Sequence, residues 1–455
     1  MSQYVADKHA SPQIERRDQL VEYFAASVKP REQWRIGTEY EKVAVRRSTG
    51  HAVPFSGEQG IERLLMGLAD RFGWEPVEEE GRVVALKGAE SWITLEPGGQ
   101  VELSGAICAN VHQARRELDQ HVDEIVAVGD ALDIAFLPLG LQPLSRLDEI
   151  EWVPKKRYRI MGPYMLRVGT LGQRMMKQTA GVQVNLDYGS EADAMRKVRV
   201  GMGLTPLLTA MFANSPLLEG DLNGFATFRG HIWTDTDNAR CGLLPFIFRE
   251  SASFEHYVDY VLDVPMYFIV RGEQWYEMTA HTFREFMQNG HQGHRATMAD
   301  WIAHLTTLFY ETRLKSYLEI RCADSQPPEL MVAVPALVKG VFYEDDCLEA
   351  AWDLIKRWTW EERLAAYHDA HRRGLQAKVK GIAFAELARE LIAIAEEGLR
   401  RQHALDERDQ DETIHLDRIR ELVRRGLCPA DLVIEKWKGA WGGDVRRMIG
   451  ETAYG

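Results

Sequence analysis

The sequence predicts an α+β fold built on an antiparallel sheet, and three observations carry that expectation. Stretches in which apolar and polar residues alternate, as in half-buried strands, recur between stretches with helical spacing, too unevenly for regular βαβ units. The stretch 91–105, "SWITLEPGGQVELSG", reads strand–turn–strand around Pro97-Gly98-Gly99, a connection that joins antiparallel neighbours. Neither a GxxxxGK[ST] loop nor a Rossmann glycine fingerprint is present, so the two commonest nucleotide cradles of parallel sheets are missing.

Taken in order, residues 12–28 and 58–72 place apolar positions at helical spacing, and "RIGTEYEKVAV" (35–45) between them alternates. "VVALKG" (83–88) and the two arms around Pro97 follow as strands, then a long helical pattern over 109–133. Further strands are expected at "IAFLPLGLQ" (134–142), "AGVQVNLDY" (180–188), "ATFRGHIWT" (226–234) and "LKSYLEIRCAD" (314–324), with helices over 191–213 and 297–311. From about Cys347 onward the chain reads as helical and charged. No repeat or linker interrupts it, so 1–455 is expected to be one domain with 345–455 a mostly helical region packed on it.

The net charge of −13 disfavours broad binding to a nucleic-acid backbone, though metal ions or local arginines would still admit a polyanion such as ATP. The first twenty residues are polar and no apolar run approaches 18, so neither a signal peptide nor a membrane span is expected. Five scattered cysteines without CxxC spacing argue against a zinc site or a disulfide framework and suggest a reducing, cytoplasmic setting.

Four strands carry one chemical signature. Glu39 and Glu41 share a face of the first, and Glu96 and Glu102 lie in the arms flanking the Pro97 turn. Gln183, Asn185 and Asp187 alternate with Val182, Val184 and Leu186, and Glu319 and Arg321 alternate with Leu318 and Ile320. Any one of these suits a solvated sheet face. Together they put carboxylates, carboxamides and one arginine where a solvated face mixes lysine, serine and threonine. If the strands share a sheet, five glutamates converge and require cations, and ligands made of oxygen alone indicate a hard ion, Mg²⁺ or Mn²⁺. Arg321 is then placed to touch a phosphate, and the implied chemistry is phosphoryl transfer from a nucleotide.

The blocks "GTEYEK", "ITLEPGGQVELSGA", "VQVNLDY", "FANSP", "HIWTDTD", "VDYVLDVPMYF", "HLTTLF" and "RLKSYLEIR" stand in consistent order. Together they resemble glutamate–cysteine ligase of the plant and proteobacterial type from about Arg35 to Tyr343, and more weakly through the tail. The resemblance implies a glutamine-synthetase-like fold, a curved antiparallel sheet forming a funnel with helices outside. It implies a monomer or homodimer acting on L-glutamate, L-cysteine and ATP with two or three Mg²⁺ ions (Mn²⁺ as an alternative). The reaction would pass through a γ-glutamyl phosphate as the first step of glutathione biosynthesis. By the same resemblance Glu39, Glu41, Glu96, Glu102 and Glu319 are metal ligands, with Glu319 and Arg321 catalytic. Gln183, Asn185 and Arg321 line the nucleotide and metal end. Arg157 and Arg229 hold the substrate glutamate, Tyr267 lies near the acceptor, and Arg240 is a further anion contact. Without the resemblance, Arg157 in "KKRYR" would read as a surface charge, Arg229 as a structural ion pair, and His231 as a structural histidine.

The chain departs from that family at Gln178-Thr179-Ala180-Gly181, where plant members read Arg-Thr-Cys-Thr, and after Arg321, where "CADSQPPELMVAVPALVKG" replaces a Gly-Ala-Asp-Gly-Gly-Pro-Trp run. The segment from Trp275 to His291 lacks the cysteine of a disulfide-bearing hairpin, so a thiol switch of the plant kind is not expected. The departures flank strands that line the expected funnel, which leaves a different amine acceptor as the alternative to cysteine.

Overall fold

The computed structural model describes residues 11–455, and the first ten residues, read above as part of a polar start, lie outside the described residues. Among the described residues nine strands form one antiparallel sheet. They are β1 (Ile36–Arg46), β2 (Glu75–Glu79), β3 (Arg82–Lys87), β4 (Trp92–Leu95), β5 (Val101–Ser104), β6 (Ile134–Leu137), β7 (Gly181–Leu186), β8 (Thr312–Leu314) and β9 (Leu318–Asp324). Their order is β8-β9-β7-β1-β5-β4-β3-β2, with β6 paired to β1.

The 11-residue β1 serves three neighbours because it is long: Ile36–Tyr40 pair with β7, Glu39–Lys42 with β5, and Val43–Arg46 with β6. Its two faces meet different surroundings. Tyr40 and Ala44 point into the main core with Leu118 and Ile125 of the helix Val111–Gly129. On the other face Glu39 and Glu41 are followed by Val43 and Val45, which join Leu137, Trp437, Trp441 and Met448 in a separate apolar cluster. The C-terminal helices Pro429–Lys438 and Val445–Thr452 supply that cluster, so one half of this face is sealed by packing and the carboxylate half is left for the cavity described below.

The helix Glu191–Met211, started by Ser190 accepting from the Asp193 N–H, is buried on all sides from Val200 onward. Strand β9 flanks it on one side and the helices Asp345–Ile355 and Trp360–Arg373 on the other, which is why its sequence shows no polar stripe. Beyond residue 345 the described elements are helices and one two-stranded hairpin near residues 378–383.

Two segments differ from expectation. Residues 226–234 form a helix, Phe228–Trp233, and not a strand, because Thr227 caps it by accepting from the Gly230 N–H and the segment packs between the helices Gly172–Gln178 and Trp360–Arg373 without joining the sheet as a strand. The helix expected over 297–311 is Met298–Thr306, after which the chain extends toward β8. The hairpin Phe268–Arg271 and Gln274–Glu277 was not legible as strands.

Candidate active site

A cavity of about 460 Å³ opens on the carboxylate-bearing face of the sheet. Five carboxylates (Glu39, Glu41, Glu79, Glu96, Glu102) and five cations (Lys155, Arg157, Arg229, Arg313, Arg321) line it, with aromatic and methionine side chains filling the rest of the wall. Equal numbers of opposite charges suit a ligand set that itself carries both signs.

Sheet register brings the polar side chains together. Glu41 stands opposite Glu102, Glu39 opposite Gln183, Thr94 opposite Glu102, and Asn185 opposite Glu319, which in turn faces Arg313. Like charges directly across an antiparallel pair destabilise the sheet unless something neutralises them. Two solutions occur along this face.

Around Glu41 the protein supplies mainly neutral donors. Glu41 accepts from the Gly181 N–H at 2.6 Å and from Gln183 Nε2 at 3.0 Å, and Glu102 accepts from Thr94 Oγ1 at 2.6 Å and Ser104 Oγ at 2.5 Å. Burial first, then Glu96 and Glu102, push the Glu41 carboxyl up to about 8, against the pull of Arg229 and the Gly181 amide. Burial and Glu102 likewise raise Glu96, although Arg157, Lys155 and Arg321 oppose them. Lys155 donates to the Leu95 carbonyl at 2.8 Å, and burial followed by Arg157 brings its ammonium down to about 7.

Around Glu319 the supply is cationic. The fully buried carboxylate accepts from Arg313 Nε at 2.5 Å, Lys315 Nζ at 2.6 Å and Arg321 Nη1 at 3.2 Å. Burial alone would raise its pKa, but Arg313, Lys315 and Arg321 hold it well below the usual carboxylate range. Arg321 also donates to Gln183 Oε1 and so links the two ends. A bulge at Arg321 and Cys322 interrupts the β9–β7 pairing there.

Arg229, 3 % exposed, rises from the short helix Phe228–Trp233. Its Nη2 donates to the Arg321 carbonyl at 3.1 Å, Nη1 lies 3.8 Å from Asp324 Oδ1, and its buried Nε has no partner. A Cβ at Gly181 would sit 2.5 Å from Arg229 Nη2, so the absence of a side chain there makes room for the guanidinium. Arg157 lines the same cavity, donating from Nη2 to the Tyr158 hydroxyl at 2.8 Å and lying 4.8 Å from that ring.

Among the described residues no three His, Cys, Asp or Glu side chains are gathered so as to hold a metal by themselves. The cavity lining offers carboxylate oxygens and neither Cys nor His, the donor chemistry of a hard ion such as Mg²⁺.

Residues 35–451 match the signature of Glutamate-cysteine ligase family 2 (GCS2). The chain belongs to that ligase family. It is 43% identical over 442 residues to the "Glutamate--cysteine ligase, chloroplastic" of Nicotiana tabacum and equally to that of Solanum lycopersicum, covering 96% of this chain and 83% of each relative. The Arabidopsis thaliana protein of the same name is 43% identical over 441 residues, with the same coverage. A crystal structure of glutamate–cysteine ligase from Francisella tularensis in complex with AMP superposes with a TM-score of 0.54 at 13% identity, over 92% of this chain and 88% of that one, a likeness of fold.

These relatives correct one expectation outright. They are named chloroplastic, which overturns the cytoplasmic placement. Scattered thiols report a reducing environment without identifying the compartment that provides it. All five cysteines are buried and unpaired, Cys322 and Cys347 included. No helix of the described residues is long and apolar enough to cross a membrane.

Of the residues expected at this ligase site, Glu39, Glu41, Glu96, Glu102, Gln183, Arg157, Arg229 and Arg321 line the cavity. Glu319 does not. Its oxygens are taken by three cations, which suits an anchor for Arg313 and Arg321 better than a metal ligand. Asn185 stays behind the wall, donating to Glu39 Oε1 at 3.4 Å, and Asp187 turns away to meet Lys29 at 2.7 Å. Arg240 and Tyr267 also lie off the cavity, each 1 % exposed or less. Arg240 spends its donors on Asp237, the Thr307 and Pro265 carbonyls and Tyr164, and sits 4.0 Å from the Tyr267 ring, so the pair is a buried structural stack and not a substrate contact. Sequence reading missed Lys155, Arg313 and Lys315. Their signal was present: Arg313 and Lys315 are two apart beside the Glu319 strand, and Lys155 opens the basic run that holds Arg157.

Proposed function

We propose that this chain is an ATP-dependent ligase that joins the γ-carboxyl of L-glutamate to the amine of L-cysteine, the first step of glutathione biosynthesis. The observation that carries this reading is one cavity in which Glu41 faces Glu96 and Glu102 with mainly neutral donors, beside Arg229 with its unpartnered buried Nε, in a chain of this ligase family. The AMP held by the Francisella ligase supports a nucleotide as co-substrate. In this reading the whole sheet with its C-terminal helices acts as one catalytic unit, its strands curving into a funnel whose wall is the lined cavity.

Glu41, Glu96 and Glu102, with Glu39, would hold two or three Mg²⁺ ions, which when bound neutralise the nucleotide's phosphate charge. Arg321, kept in place by Glu319 and Gln183, meets the transferred phosphate. Arg229 and Arg157 offer planar forks to the α-carboxylate of glutamate, leaving its γ-carboxylate to take the phosphoryl group. The amine of the acceptor then attacks the γ-glutamyl phosphate and displaces phosphate. The aromatic and methionine wall limits water in the meantime.

Phosphate release measured with each component omitted in turn tests the reading. Release should require Mg²⁺, ATP, L-glutamate and L-cysteine together, and release indifferent to glutamate would sink it. Thr179, within the departure at 178–181, and Met176 just before it line the cavity, so other amino acids should be screened as acceptors in the same assay.

A further inference from the structure

The helix Trp360–Arg373 belongs to the C-terminal region and has no residue on the cavity, yet it touches the arginine machinery twice. The buried Tyr367 hydroxyl donates to Glu311 Oε1. Glu311, also buried, sits at the bend leading into β8, and its main chain accepts from the Arg321 N–H at 3.0 Å. Burial raises the Glu311 carboxyl, while the Tyr367 hydroxyl, Arg229 and Arg321 favour its charged form. Glu311 is thus a buried carboxyl on which Arg229 and Arg321 act electrostatically, and Tyr367 is the neutral donor that steadies it.

The second contact seats the Arg229 helix. The His371 carbonyl accepts from the Ala226 and Thr227 N–H groups, each at 3.0 Å, just where that helix begins. The His371 ring closes on Gly230 so tightly that a Cβ there would lie 2.6 Å from it. Ser215 and Thr227 complete the mount, both donating to Asp324, which also accepts from the Asn214 N–H at 2.7 Å and whose Oδ1 lies 3.8 Å from Arg229 Nη1.

We propose that Tyr367 is a positioning residue: through Glu311, and alongside the seat that His371 makes for the Arg229 helix, the C-terminal region sets the aim of Arg229 into the cavity. The inference rests on the reading in which Arg229 holds the substrate carboxylate. It assigns a task to a region that contributes nothing to the cavity wall through this helix.

Steady-state kinetics of the full chain test it. Tyr367→Phe removes one hydroxyl and keeps the ring. The glutamate KM should rise about fivefold with kcat within about twofold, the mark of weakened substrate binding and not of general loss of structure. Glu311→Gln, which keeps an acceptor for the tyrosine but removes the charge, should shift KM in the same direction, and it carries the test if the phenylalanine variant does not fold. The double variant should be no worse than Glu311→Gln alone, because the hydroxyl acts through the carboxylate. An unchanged glutamate KM in Tyr367→Phe, a fall in kcat without a KM change, or additive effects in the double variant overturns the proposal while the ligase reading stands. An unmodified chain whose turnover ignores glutamate overturns the ligase reading and this proposal with it.

Discussion

Glu41 and Glu319 are the same residue type on the same sheet face, both buried, and the fold treats them oppositely. Glu319 is surrounded by Arg313, Lys315 and Arg321 and stays ionised far into acid. Glu41 faces Glu96 and Glu102, receives an amide and a carboxamide, and its carboxyl is held up to about 8. The contrast shows that burial does not decide a carboxylate's role; what the protein places beside it does. Where the chain itself provides the cations, the carboxylate is a structural anchor. Where it withholds them, the carboxylates retain a demand that, in the proposed reading, an external divalent ion and its phosphates would meet.

Breaking the anchored end has the largest expected effect. Glu319→Gln leaves three buried cations around a neutral amide and should destabilise the fold by about 3–5 kcal/mol, read from chemical denaturation without any ligand. A variant as stable as the parent would return Glu319 to the candidate metal ligands. At the other end, Glu102→Gln should keep or raise stability in metal-free buffer, because it relieves repulsion opposite Glu41. Its turnover should fall roughly 10²-fold, the scale for a lost ligand or charge stabiliser; normal turnover would remove Glu102 from the site.

The smallest effect is a slope. The folded-state pKa of Glu41, about 8, lies above the ordinary carboxylate value of about 4.3, so between those values the folded chain binds a proton that the unfolded chain has lost. This contribution to stability is present below about pH 4 and is lost as pH rises toward 8. In a metal-free buffer Tm should therefore decline by a few degrees across the upper part of that window. Saturating Mg²⁺ with a nucleotide should flatten or reverse the decline by binding the ionised form. A Tm slope that ignores the metal would erase the distinction between the two ends.

The shared acidic face was legible before any coordinates, but the contrast along it was not, since Glu319 read as one more metal ligand. Period-two alternation placed Glu39 with Glu41, and Glu319 with Arg321, on shared strand faces, and the Pro97 turn brought Glu96 and Glu102 into neighbouring arms. The residues that failed did so for tertiary reasons. Arg240 and Tyr267 carry the right chemistry but found each other in the core. The aromatic and β-branched segment 226–234 looked like a strand until Thr227 capped it and the helices Gly172–Gln178 and Trp360–Arg373 packed on it. Tyr367 gave no signal, since a tyrosine at helical spacing is ordinary core until its hydroxyl is seen on Glu311.

By itself the chain's alternation and turn chemistry determined an antiparallel sheet with acidic faces, because those patterns act within a few residues of one another. Only the tertiary structure decided which acids are neutralised and which are left wanting. That outcome depends on how the elements pack: Arg313 meets Glu319 only once β8 pairs with β9, and Arg229 comes from a helix far away in sequence that a helix of the C-terminal region holds, a pairing that leaves no periodicity to read.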